Sequence, residues 1–77
     1  MTNNILFVEK LMPDVTYELL VSQFSKYQGF REVRLIPGKN VAFVEYDSDV
    51  QGGVALIGLN GIKITEACTL QISYAKK

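Results

Sequence analysis

The spacing of apolar residues in this chain switches from the two-residue alternation of a strand to the wider spacing of a helix and back again, twice over, and no other feature limits its folds so tightly. The run Ile5-Leu6-Phe7-Val8 is rich in strand formers and stops at Leu11-Met12-Pro13, because proline cannot continue a central strand. Thr16 stands where a helix N-cap should, and Glu18 places an acid in the first turn, where it suits the helix dipole. Leu20, Phe24 and Tyr27 follow at i, i+4 and i+7 on one helical face, and Gly29 is placed to end that helix. Phe30–Ile36 then alternates, with Val33 and Leu35 on one side and Glu32 and Arg34 on the other. After the Pro37-Gly38 turn signal, Val41–Tyr46 alternates again, with Ala42, Val44 and Tyr46 on one face and Val41, Phe43 and Glu45 on the other. Ser48-x-x-Gln51 reads as a capping box that opens a second helix, closed by Asn60-Gly61. A brief Ile62-Lys63-Ile64 segment and a polar loop lead to a last alternating strand, Leu70–Ala75.

The order of elements is therefore β-α-β-β-α-β. It predicts an α+β, ferredoxin-like sandwich: a four-stranded antiparallel sheet with both helices on one face. Right-handed crossovers put the first and third strands in the middle, giving the strand order fourth, first, third, second. The other face of the sheet is left bare. That face is where function is expected.

Seventy-seven residues make one small domain, 48% of it apolar, with no room for a second core. Eight Lys and Arg balance eight Asp and Glu, so the formal net charge is zero. Phosphate neutralisation usually supplies much of the affinity for nucleic acid, so binding through this domain alone is expected to be weak. The single cysteine, Cys68, cannot form an internal disulfide, which favours a reducing compartment. Met1–Asn4 has no basic leader region, Ile5–Val8 is too short for a leader core, and no segment approaches the ~20 apolar residues of a membrane span. No membrane association is expected. With no histidine, no metal-ligand cluster, and a Gly52-Gly53 pair that lacks the spacing of a phosphate-cradling loop, neither an enzyme nor a cofactor is expected. The ends look trimmed to a domain, as in a piece excised from a longer protein.

Strand periodicity turns Leu6 and Val8 toward the helices and Phe7 toward solvent; likewise Ala42, Val44 and Tyr46 go inward while Phe43 comes out. Two phenyl rings side by side in water suit a stacking platform for unpaired bases, worth ~1–3 kcal/mol per base. The other reading open to such a pair is cover by the chain's own tail or by a partner protein.

Leu6-Phe7-Val8-Glu9-Lys10-Leu11 resembles the hexamer signature of RNA recognition motifs, which carries an aromatic at its second place. Lys39-Asn40-Val41-Ala42-Phe43-Val44-Glu45-Tyr46 resembles the octamer of the same family. The likeness narrows further. Gly29–Gly38, Ala42–Tyr46, Ile62–Thr65 and Ile72–Lys77 resemble the carboxy-terminal motif of a spliceosomal group, protein A of the U1 particle and protein B'' of the U2 particle, each with two such motifs. The resemblance implies a nuclear domain of a longer two-motif protein, engaged in pre-mRNA splicing with RNA and other spliceosomal proteins as partners. It implies RNA contacts from Phe7, Phe43, Lys39 and the octamer's Val41; strand position adds Arg34, with Lys76-Lys77 past the last strand as further cations, and Gln71 and Ser73 as outward polar groups able to read base edges.

The chain departs from the family pattern at several of these positions. Val41 takes the octamer's third place, where strong binders present another ring; Asn40 replaces its glycine and Lys10 the hexamer's usual asparagine. Glu9 and Glu45 project from the same face as the rings. Pro37-Gly38-Lys39-Asn40 is too short to pass through an RNA hairpin loop, as the longer basic loop of the group's amino-terminal motifs does. In the second helix, Gly52, Ala55, Leu56 and Leu59 form the face turned to the sheet, while Val50, Val54 and Ile57 make a second apolar stripe roughly opposite. Either that stripe is a protein interface, for a partner or a second copy of the chain, or the helix is rotated so that fewer of these residues are exposed.

Overall fold

Wherever one parity of a strand is wholly apolar, burial follows it. In a computed structural model describing residues 2–76, β1 (Ile5–Glu9) buries Leu6 and Val8 completely and β3 (Val41–Tyr46) does the same with Ala42, Val44 and Tyr46. Lys77, the second lysine of the basic tail, lies outside the described residues. β1 and β3 pair antiparallel with Phe7 opposite Phe43. β2 (Phe30–Ile36) flanks β3, and β6 (Gln71–Tyr74) flanks β1, giving the order β2-β3-β1-β6. This is the strand order that the element sequence predicts. Helices α1 (Tyr17–Phe24) and α2 (Asp49–Leu59) add Leu20, Phe24, Ala55 and Leu59 to the core, which Val33, Leu70 and Ile72 also join.

Thr16 caps α1 as expected, accepting the Leu19 N–H at 3.1 Å. The helix stops a turn earlier than its apolar spacing predicts, at Phe24, and Tyr27 lies beyond it. The cause is tertiary. The Phe24 carbonyl, which a continuing helix would offer to the N–H four residues on, accepts the buried Tyr46 hydroxyl at 2.7 Å and the Tyr27 N–H at 3.2 Å. Burial pushes the Tyr46 phenol far above the ordinary tyrosine range, with the nearby Tyr27 adding to the shift, so this hydroxyl stays a donor.

Ser48 caps α2 as expected, its Oγ accepting the Gln51 N–H at 3.2 Å, but the return bond of the capping box is altered: Gln51 Oε1 accepts the Ser48 hydroxyl at 3.1 Å in place of the Ser48 backbone N–H. The glycines that weaken this helix admit two tyrosines. A Cβ at Gly53 would stand 2.7 Å from the Tyr74 hydroxyl, and one at Gly58 would overlap the Tyr27 ring. Asn60 ends α2 and then accepts the Ile72 N–H through Oδ1 at 2.8 Å, tying the helix end to β6.

Two further differences lie near the chain ends. The expected strand Leu70–Ala75 shortens to Gln71–Tyr74, and the polar loop expected before it is partly ordered as a ribbon. β5 (Cys68–Thr69) pairs with β4 (Lys63–Thr65) in a separate ribbon, because Leu70 exchanges backbone hydrogen bonds with Gly61 and Ile62 instead of joining β1. The polar lead-in is also anchored. Asn3 is buried, donating from Nδ2 to the Ala75 carbonyl at 3.0 Å, and Asn4 clasps Tyr46 through both its backbone carbonyl and its side-chain amide.

Two family positions that differ in this chain are backbone positions. Asn40 has φ +58° and Lys10 has φ +59°, both in the left-handed region. Asparagine tolerates that region, but a lysine there is strained. Lys10→Asn is therefore expected to stabilise the fold by about 0.5–1 kcal/mol. Urea titration checks it, with a higher midpoint at unchanged slope.

Candidate nucleic-acid interface

The side chains opposite the helices form three rows across the sheet. The middle row runs Arg34, Phe43, Phe7, Ser73, each residue opposite the next in the strand pairing. On one side of it lie Glu32, Glu45 and Ile5; on the other, Ile36 with Val41 and Glu9 with Gln71. The row positions follow from pleat parity once the β1–β3 register is set.

Phe7 and Phe43 are partly exposed and in contact, ring centroids 5.4 Å apart and planes inclined at 42°. That separation lies within the range for directly opposed aromatic residues on antiparallel strands. The two faces stay open, since both helices pack on the other side of the sheet. Val41 stands in the neighbouring row where a third ring would widen the platform, so the aromatic area is limited to this pair.

The charges around the rings are mixed. Arg34 Nη2 lies 3.4 Å from Glu32 Oε2. Arg31, just off the face, meets Asp47 at 2.9 Å and Glu45 at 3.8 Å. The Arg31 pKa is raised first by its hydrogen bond and charge interaction with Asp47 and then by the charge of Glu45. These pairs are exposed and add little stability. They do leave each of the directly opposed carboxylates Glu32 and Glu45 near a cation, which lessens their mutual repulsion.

Two shallow depressions meet at Phe43. One includes Ile5, Glu32, Arg34, Glu45 and Lys76 in its lining; the other includes Phe7, Glu9, Ser73 and Tyr74, again with Lys76. Of the residues that the sequence marks for RNA contact, Phe7, Phe43, Arg34, Ser73 and Lys76 are gathered here, and Val41 and Gln71 lie in the adjoining row. Lys39 stands apart in the β2–β3 turn, its N–H bonded to the Ile36 carbonyl at 3.3 Å, and lines neither depression. Ile5, Glu32 and the buried Asn3 belong to the site without having been singled out. Ile5 and Glu32 share the parity of the marked residues on their strands, so the pattern held that information. Nothing local marks Asn3, whose place depends on the far end of β6.

Val50, Val54 and Ile57 lie on the outer side of α2, with 73%, 56% and 81% of their surface exposed, away from the aromatic row. After Asp49 the solvent side of this helix carries no charged residue. Among the described residues no group of three or more His, Cys, Asp or Glu is placed to hold a metal ion, and no helix is long and apolar enough to cross a membrane.

Comparison with known proteins gives a consistent set of relatives. The family model described as RNA recognition motif matches residues 6–70. A U2 small nuclear ribonucleoprotein B'' of Oryza sativa subsp. indica is 50% identical over 76 residues, covering 97% of this chain and 33% of that protein. A U1 small nuclear ribonucleoprotein A of Drosophila melanogaster is 42% identical over 77 residues, covering 97% and 35%. The chain thus spans about a third of the length of these relatives. Among solved structures, the MEC-8 C-terminal RRM domain bound to AGCACA superposes with a TM-score of 0.79 at 33% identity, over 95% of this chain and 90% of that one.

Proposed function

The chain belongs to the RNA recognition motif family, and on that premise we propose that it is an RNA-binding module of a spliceosomal small nuclear ribonucleoprotein protein, holding single-stranded RNA weakly by stacking bases on its open sheet face. The observation that carries the reading is the Phe7–Phe43 pair, 5.4 Å apart on the side of the sheet that no helix covers. The ribonucleoprotein assignment draws support from the U1 and U2 relatives, and RNA binding draws support from the MEC-8 domain, whose structure holds an oligonucleotide. The chain is then one motif of a longer two-motif nuclear protein that works in pre-mRNA splicing beside other spliceosomal proteins. It acts as a binding module rather than an enzyme.

Weak binding follows from the balance on the face. Two rings offer stacking worth ~1–3 kcal/mol per base. Against this stand a net charge of zero and the carboxylates Glu9, Glu32 and Glu45 beside the platform. The dissociation constant for a short single strand is therefore expected on the order of 10⁻⁴ M, with a shallow salt dependence.

Fluorescence anisotropy of a labelled RNA hexamer tests this. Phe43→Ala is expected to weaken binding about 5- to 150-fold, the equivalent of one stacked base, and Phe7→Ala to do much the same. Equal affinity in wild type and both variants would defeat the reading.

A second reading, a protein-contact domain that keeps the fold with little or no RNA binding, is favoured by the uncharged outer face of α2. Its occupant would be another spliceosomal protein or a second copy of this chain. On that reading Ile57→Lys abolishes concentration-dependent sedimentation, or capture of the partner, and leaves the sheet face unaltered. Sedimentation as a monomer at every concentration, with or without the substitution, would remove the homodimer from consideration.

A further inference from the structure

Beside Phe43 the open face dips into a hollow of about 410 Å³, and the polar groups around it are unlike those of a phosphate site. Its lining includes Glu32, Arg34, Glu45 and Lys76, two carboxylates as well as two cations. The Asn3 amide, also at this hollow, is already engaged: Nδ2 donates to the Ala75 carbonyl at 3.0 Å and Oδ1 accepts the Ile5 N–H at 3.3 Å. What remains for a ligand is a pair of groups that can only accept hydrogen bonds and a pair that can only donate.

Glu45 is the carboxylate best placed to be read. It lies two residues along β3 from Phe43 on the same face, a separation of about 6.8 Å along the strand. A base stacked on the Phe43 ring, with its pairing edge directed along β3, spans roughly that distance once a hydrogen bond of about 2.8 Å is added. Glu45 is also loosely held. Its nearest cation, Arg31, stands 3.8 Å away and is more closely engaged by Asp47 at 2.9 Å. Glu32, by contrast, has Arg34 at 3.4 Å.

The four bases present different edges to a carboxylate. Uracil offers one N–H between two carbonyl oxygens, which the carboxylate repels. Cytosine and adenine each offer an amino group next to a bare ring nitrogen. Guanine alone presents two adjacent donors, N1–H and the N2 amino group, spaced to meet both carboxylate oxygens. Its O6 and N7 acceptors remain free for a cation, and arginine is the most common partner for that pair. We infer that the hollow between Phe43 and Glu45 is a guanine-selecting subsite, in which the Glu45 carboxylate accepts from N1–H and N2–H of a guanine stacked on Phe43 while Arg34 or Lys76 faces its acceptor edge.

This inference rests on the reading of the face as a single-strand RNA platform, and it assigns the acidic residues there a role in choosing the base. The same carboxylates that lower affinity for any phosphate backbone raise the contrast between bases.

The test uses the 77-residue domain and four fluorescein-labelled uridine hexamers that differ only in one central base, G, A, C or U. The guanine oligomer is expected to bind about tenfold more tightly than the all-uridine one. Glu45→Gln should reduce that ratio to about twofold or less, because an amide pairs an acceptor with a donor that opposes one guanine N–H. Affinity for the uridine hexamer should hold or rise as the charge is removed. Amide spectra of the variant confirm that the sheet is intact. If all four oligomers bind equally and Phe43→Ala weakens every one, the guanine subsite is refuted and the platform stands. A guanine preference that survives Glu45→Gln refutes the role of Glu45. If none of the four binds, the platform itself is refuted, and the subsite with it.

Discussion

The pairing of β1 with β3 is the constraint on which the remaining features depend. Leu6, Val8, Ala42 and Val44 are all without solvent exposure, and each sits on one of these two strands. A slip of one residue in either strand would turn that strand's pair outward and bring its alternate set in, at a cost of roughly 1.5–3 kcal/mol for each large apolar side chain exposed. The core therefore holds the register, and the register determines what the other face presents. Phe7 and Phe43 meet in the open because their neighbours in sequence are confined inside. The open aromatic face is a consequence of core packing on its far side.

This dependence explains which parts of the molecule were legible in the sequence. The bounds of β3 and the buried parity of both β1 and β3 could be read because one parity of each strand is apolar throughout and packs into the core. The β1–β3 neighbourhood followed from the element order and brought Phe7 to Phe43. The end of α1 could not be read, since it turns on the Tyr46 hydroxyl reaching the Phe24 carbonyl across 22 positions of sequence. The same holds for the β4–β5 ribbon ahead of the last strand and for Asn3, whose partner is Ala75. Local pattern carries local structure, and these three depend on contacts with distant residues. The α2 glycines show the same point in reverse. By propensity they only weaken a helix, while in the fold Gly53 and Gly58 are where Tyr74 and Tyr27 come to rest.

The open face is balanced between attraction and repulsion. Two rings provide stacking that does not depend on sequence. Arg34 and Lys76 provide positive charge, and Glu9, Glu32 and Glu45 oppose it. A face built only to hold RNA would carry more cations and a ring in place of Val41. Carboxylates beside a stacking surface give up general affinity and keep the capacity to discriminate among base edges.

The central claim is that RNA meets this domain on the middle row of the sheet. Amide chemical-shift mapping of the labelled domain with a short single-stranded RNA, carried to millimolar concentration, examines every residue at once. The account predicts saturating shifts at Phe7, Arg34, Phe43 and Ser73, with the outer face of α2 unperturbed. Shifts confined to α2, or none along β1 and β3 at the highest RNA concentration, would contradict it.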